Sequence, residues 1–208
     1  DWRPEDPAFW AATGRRTAWR NLAFSVLSEH IGFSVWSLWS VLVLFMGPAY
    51  GFTAPQKFLI TATPAPVGSI LRVPYPFAVA TFGGRNWTIV SALMLLVPTI
   101  YIAVVLEPGV SLATLLVGAM LAGVGGANFA SSMTNINSYF PARLKGRALG
   151  INAGAGNLGV AVVQLVGLLV LAVSGAGHPK IMVGIYIPLI VVSALLSALF
   201  MDNLTMAS

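Results

Sequence analysis

The sequence predicts an all-α, polytopic membrane protein with about six transmembrane helices. Three observations predict it. Of 208 residues, 57% are hydrophobic and 8% are charged, whereas a soluble domain carries about 25% charged residues. The apolar residues fall in blocks long enough for a bilayer, which takes roughly 20 residues per helix. Turn-forming pairs such as Gly47-Pro48, Gly83-Gly84 and Pro108-Gly109 lie between the blocks, with most of the charges.

Residues 1–20 are polar, with Pro4 and Pro7 early and Arg15, Arg16 and Arg20 late, and read as a cytoplasmic or interfacial segment. Phe9, Trp10 and Trp19 suit the headgroup level. Residues 21–208 read as one bundle. Span one is expected over residues 22–46. Span two, over 58–82, holds Pro64, Pro66, Pro74 and Pro76, so it must bend or unwind. Span three is expected over 87–106 and span four over 112–140. The stretch 141–147, Pro-Ala-Arg-Leu-Lys-Gly-Arg, reads as a connection. Span five follows over 148–173 and span six over 181–201.

The charges orient the bundle. Arg3, Arg15, Arg16, Arg20, Arg85, Arg143, Lys145 and Arg147 collect on one side, and Lys57 and Lys180 on the other. The positive-inside rule puts both termini in the cytoplasm of a multi-pass protein of the cytoplasmic membrane. The net charge of +5 is therefore topological, and no basic face with interleaved aromatics points to nucleic acid. Cysteine is absent and histidine occurs twice, too few ligands for a metal centre, and no cofactor is implied. The chain opens on Asp1 without a signal peptide, as expected of a sequence that starts inside a longer reading frame.

Arg72 is the residue that asks for a function. It lies about ten residues from the connection at Gly83, near the bilayer midplane at ~1.5 Å per residue. A cation there costs about 2.5–3.5 kcal/mol on insertion scales. A bound planar oxyanion would offset that cost through paired N–H donors. The competing reading is an ion pair with Glu29, the one carboxylate expected within the membrane. Glu29-His30 forms a titratable island in span one, suited either to proton coupling or to pairing near the inner mouth. Asn128 and Asn135 in span four share a helix face, as do Asn157 and Gln164 in span five; with Asn152 they offer polar stripes to line a cavity. The dense glycines of both spans permit close helix approach.

Three runs carry a resemblance. Gly150-Ile-Asn152-Ala-Gly154-Ala-Gly156-Asn157-Leu-Gly159 in span five resembles the nitrate signature of the NarK-like nitrate/nitrite porters of the major facilitator superfamily. Gly126-Ala-Asn128-Phe129-Ala-Ser-Ser-Met in span four, and Leu71-Arg72-Val73-Pro74-Tyr75 followed by Phe82-Gly83-Gly84-Arg85, resemble theirs too. The resemblance implies that Arg72 binds nitrate or nitrite, that Phe129 stacks on the anion and that Asn157 contacts it. It implies that Gly150, Gly154, Gly156 and Gly159 let span five pack and slide. Ala153 departs from the pattern, where some members carry another glycine.

Such porters have about twelve spans in two halves. This chain is therefore expected to be the N-terminal six-helix half, and a C-terminal half with a second arginine is its expected partner, with the anion and the lipid bilayer. Not an enzyme but a transporter is expected, working by alternating access, and Glu29-His30 favours nitrate–proton symport over nitrate/nitrite antiport. The alternative is a non-transporting scaffold or assembly subunit that packs through its glycine-rich helices.

Overall fold

The computed structural model describes residues 1–204, and every regular element among them is helical. In chain order the longer ones are α1 (Pro7–Phe45), α2 (Ala54–Ala62), α3 (Pro64–Leu71), α4 (Tyr75–Phe82), α5 (Gly84–Val105), α6 (Leu112–Tyr139), α7 (Ala142–Ser174) and α8 (Lys180–Phe200), with a short 3-10 turn at Pro48–Tyr50 between α1 and α2. By length and composition α1, α5, α6, α7 and α8 can each cross a membrane.

Span two makes its pass in three pieces. Thr53 and Gln56 open α2 with a reciprocal capping box. Pro64 and Pro66 begin a new helix at α3, and Pro74 and Pro76 do the same for α4, because proline lacks the N–H that would continue the previous one. The start of α2 is tied to the end of α1, where Lys57 Nζ donates to Met46 O at 2.5 Å. The end of α4 adjoins Asn203 at the opposite end of the bundle. The three pieces therefore run the bundle's full height.

Helix α1 begins earlier than the hydropathy indicates. Asp6 Oδ1 accepts from the N–H groups of Ala8 and Phe9, and Pro7 occupies the first turn, a strong start signal. From there 39 residues run on without a break, about 58 Å at 1.5 Å per residue, against a hydrocarbon core of ~30 Å. The helix is thus longer than one hydrocarbon crossing needs, and residues 7–20 are its first turns. Trp10 is buried against Phe140 (ring centroids 5.8 Å apart), and Trp19 meets the same ring edge-on at 5.3 Å. The stretch 142–147, expected as part of a connection, is likewise the first turns of α7. Pro141 stands at its N-cap, and Ala, Leu, Lys and Arg are good helix formers where the bilayer signal has already ended.

Helix α1 is the hub. Ile31, Val35, Leu38 and Leu42 pack with Leu115 and Ala119 of α6, Val163 of α7 and Tyr186 and Ile190 of α8. Large apolar side chains of α7, among them Leu158, Leu165, Leu169 and Val173, face outward. Water would tolerate so broad an apolar surface poorly and lipid tolerates it well. The basic connections gather at one end: Arg20 pairs with Asp202 at 2.5 Å, Arg85 N–H donates to Asn203 Oδ1 at 2.9 Å, and Ala142 N–H donates to Glu5 Oε1 at 2.7 Å. Lys180 pairs with Glu107 at the other end.

Candidate anion site

Arg72 caps the C-terminus of α3, at the joint where span two is not regular helix. Its Nε donates to Gly126 O on α6 at 3.0 Å, and its guanidinium carbon lies 5.1 Å from the centre of the Phe129 ring. Phe129 in turn meets Phe33 of α1 edge-on at 6.1 Å. Among the described residues Arg72 makes no ion pair, with Glu29 or any other carboxylate, and Nη1 and Nη2 donate to no protein acceptor. The side chain is therefore aimed by one hydrogen bond and one aromatic face, with its two terminal nitrogens unused.

Glycines make this approach possible. A Cβ on Gly68 of α3 would meet Gly123 O at 3.0 Å, and one on Gly126 would meet the Trp36 ring at 2.8 Å. On the far side of α6, a Cβ on Gly125 would run into the Gly32 carbonyl of α1. Trp36 bridges the assembly, its Nε1 donating to Pro64 O at 3.0 Å. Three helices thus come within backbone contact around the carbonyl that holds Arg72.

Glu29 sits in a separate cluster, 1% exposed. Ser132 Oγ and Asn152 Nδ2 both donate to its Oε2, the latter at 2.7 Å, and Oε1 has no partner among the described residues. Asn152 also reaches Ser132 Oγ at 2.9 Å. His30 turns toward α7, its Nδ1 3.2 Å from Ala155 O. Asn128 is buried against Gly32, and neither amide atom has a partner.

The structure therefore brings Arg72 and Phe129 together, and separately Glu29 and Asn152. Asn157 is exposed and donates to Ala153 O of its own helix at 2.8 Å. Of the four signature glycines, Gly156 lies against the Glu29 carboxyl and Gly159 against the His30 carbonyl. A Cβ on Gly150 or Gly154 would meet nothing within 4 Å. Sequence reasoning missed Ser132 as a Glu29 ligand and Gly126 as the Arg72 acceptor. A signal for Ser132 existed: Gly125, Asn128, Ser132 and Asn135 recur at helical spacing, one face of α6.

Residues 23–205 match the family model of the Major Facilitator Superfamily. The chain is 46% identical to the nitrate/nitrite transporter NarU of Escherichia coli (strain K12) over 175 residues, which are 83% of this chain and 38% of that protein. It is 38% identical to the probable nitrate/nitrite antiporter NarK2 of Thermus thermophilus over 169 residues, 80% of this chain and 37% of the relative. With the nitrite extrusion protein of Bacillus subtilis (strain 168) it shares 34% identity over 182 residues, 88% and 44% of the two. The chain spans less than half the length of each of these relatives. On this likeness and its helical architecture, the chain belongs to the Major Facilitator Superfamily and is a NarK-like member of it.

Proposed function

We propose that this chain forms the N-terminal half of a nitrate/nitrite transporter of the cytoplasmic membrane, with the anion held by Arg72. One observation carries the reading: the half-buried Arg72 guanidinium lies over an aromatic ring and, among the described residues, makes one hydrogen bond, through Nε, and none through its Nη groups. Paired N–H donors in one plane fit a planar oxyanion, and Phe129 offers its face beside them. The names of the relatives supply the anion's identity, nitrate or nitrite. Asn157 and the open face at Gly150 and Gly154 would meet a second six-helix half, which completes the pathway and supplies a second arginine. Both termini lie in the cytoplasm, where the arginine-rich end of the bundle belongs. Membership of a transporter superfamily speaks for transport rather than catalysis.

Glu29 is the coupling residue in this reading. A buried carboxyl beside His30, with one oxygen unpartnered, can exchange a proton, and it favours nitrate–proton symport over antiport. Unchanged gradient-driven uptake by Glu29→Gln would remove it from coupling.

The anion site is tested in the transporter completed by its second half. Nitrate binding should be lost in Arg72→Ala and weakened about tenfold in Arg72→Lys, which keeps charge without the fork. Equal binding by all three proteins rejects the site. The glycine face of α7 that meets nothing also fits a scaffold that associates through it. Loss of nitrate binding in Arg72→Ala, with assembly intact, separates transporter from scaffold.

A further inference from the structure

A small cavity lies inside the bundle between α1, α5 and α6. Ser25, Glu29, Thr88, Ser91, Asn128 and Ser132 are in its wall, and every residue of that wall carries a hydroxyl, amide or carboxyl group. It has room for about one water molecule. Ser25 Oγ and both amide atoms of Asn128 are buried there without partners. Leaving such groups unpaired is costly, whereas a polar void of this size takes up a water that satisfies two to four of them.

The cavity's place in the fold gives that water a direction. Ser25 lies one turn from Glu29 toward Arg20, and Thr88 and Ser91 lie in the first turns of α5, which begins beside Asn203. Ser25, one turn nearer that end, leads from Glu29 toward the arginine-rich face. Phe129, which faces Arg72, is not in the wall of this cavity. The groups near Glu29 are otherwise few. α7 presents Asn152 and Gly156, α6 Ser132, and α5 Thr88 and Ser91. His30 turns away to Ala155 O.

We infer that this cavity holds one water molecule, and that the water with Ser132 relays protons between Glu29 and the arginine-rich face. The inference rests on the proton-coupled reading of Glu29. In the transfer, the water gives a proton to Ser132 Oγ while that hydroxyl passes its own proton to Glu29 Oε2. The carboxylate becomes a carboxylic acid, and the aqueous phase at the arginine-rich end replaces the water's proton.

The test uses the complete transporter in liposomes, with three measurements: proton-driven nitrate uptake, nitrate/nitrite exchange at constant pH, and the hydrogen–deuterium exchange rate of the Glu29 carboxyl band by infrared difference spectroscopy, assigned with Glu29→Gln. Ser91→Val and Ser25→Val, made separately, fill the cavity. Each should slow deuteration and proton-driven uptake by about tenfold, the factor for one lost hydrogen-bonded relay member, with anion exchange unchanged. Ser25→Ala keeps room for water and should deuterate at the wild-type rate. Wild-type deuteration in both valine variants overturns the relay, even if Glu29→Gln abolishes proton-driven uptake. Full proton-driven uptake by Glu29→Gln overturns the coupling reading, and the infrared rates still decide the water route.

Discussion

Replacing Gly126 with alanine tests whether the glycines of α6 build the anion site or merely lighten a helix. The new Cβ would meet Trp36 Cε2 at 2.8 Å, Nε1 at 3.0 Å and Cδ2 at 3.1 Å. The indole cannot simply recede: its Nε1 is bonded to Pro64 O at 3.0 Å and its ring lies 5.7 Å from Phe33. Overpacking of this kind costs about 1–3 kcal/mol. Since the Gly126 carbonyl is the acceptor for Arg72, displacing it also moves the guanidinium. A loss of about 1.4 kcal/mol in that placement is tenfold in nitrate affinity. Gly150→Ala is the control, because a Cβ there meets nothing and alanine gains about 0.5–1 kcal/mol of helix propensity. Thermal unfolding of the transporter completed by its second half, purified in detergent, with nitrate titrations, reads both effects. Gly126→Ala should melt lower and bind more weakly than Gly150→Ala. If the two variants melt and bind alike, the close approach of α6 to Trp36 does not set the site.

Three further outcomes follow from other contacts. Phe129→Leu removes the ring under the guanidinium, an interaction of about 0.5–2 kcal/mol, so nitrate titration should show a roughly two- to thirtyfold weaker Kd. Gly159→Ala drives a Cβ into the His30 carbonyl, a backbone atom, and should destabilise the protein by about 2 kcal/mol or more relative to Gly154→Ala in detergent unfolding. Asn203→Ala removes the side chain that accepts from Arg85 and Asn86 N–H at the start of α5. About 1 kcal/mol should be lost, with faster amide hydrogen exchange at those two positions.

The spans are readable from sequence because lipid demands long apolar blocks, and the proline pattern of span two leads directly to its three-piece helix. Helix ends are less readable. Hydropathy marks where the hydrocarbon stops, whereas a helix stops where its backbone does, so α1 and α7 extend past the expected limits. Arg72 is conspicuous because its charge is expensive, but composition says nothing of what it touches. Its contact with Gly126 depends on the crossing of α3 and α6, which a few glycines determine through distances no periodicity contains. Asn203 is the clearest case of the illegible. It caps α5 from 118 residues away, and Gly83 admits it through a positive φ of 85° and the missing Cβ.

The glycine run of α7 separates into two stripes with different tasks. Two residues turn a helix by about 200°, so Asn152, Gly156 and Gly159 lie nearly opposite Gly150, Gly154 and Asn157. The first stripe is locked: Asn152 bonds Glu29, and the two glycines accept the Glu29 carboxyl and the His30 carbonyl. Among the described residues the second meets nothing at its glycines, and its asparagine is exposed. A transporter that rocks one bundle against another needs both properties in one helix, a face that cannot move relative to its own bundle and a face that can move along the other. Small residues serve both, the first by close contact and the second by offering no side chain to catch. On the proposed proton-coupled reading of Glu29, the locked stripe also bears on coupling. A carboxyl held by two donors on Oε2 from α6 and α7 joins those helices to α1, so a change in its protonation acts on all three at once.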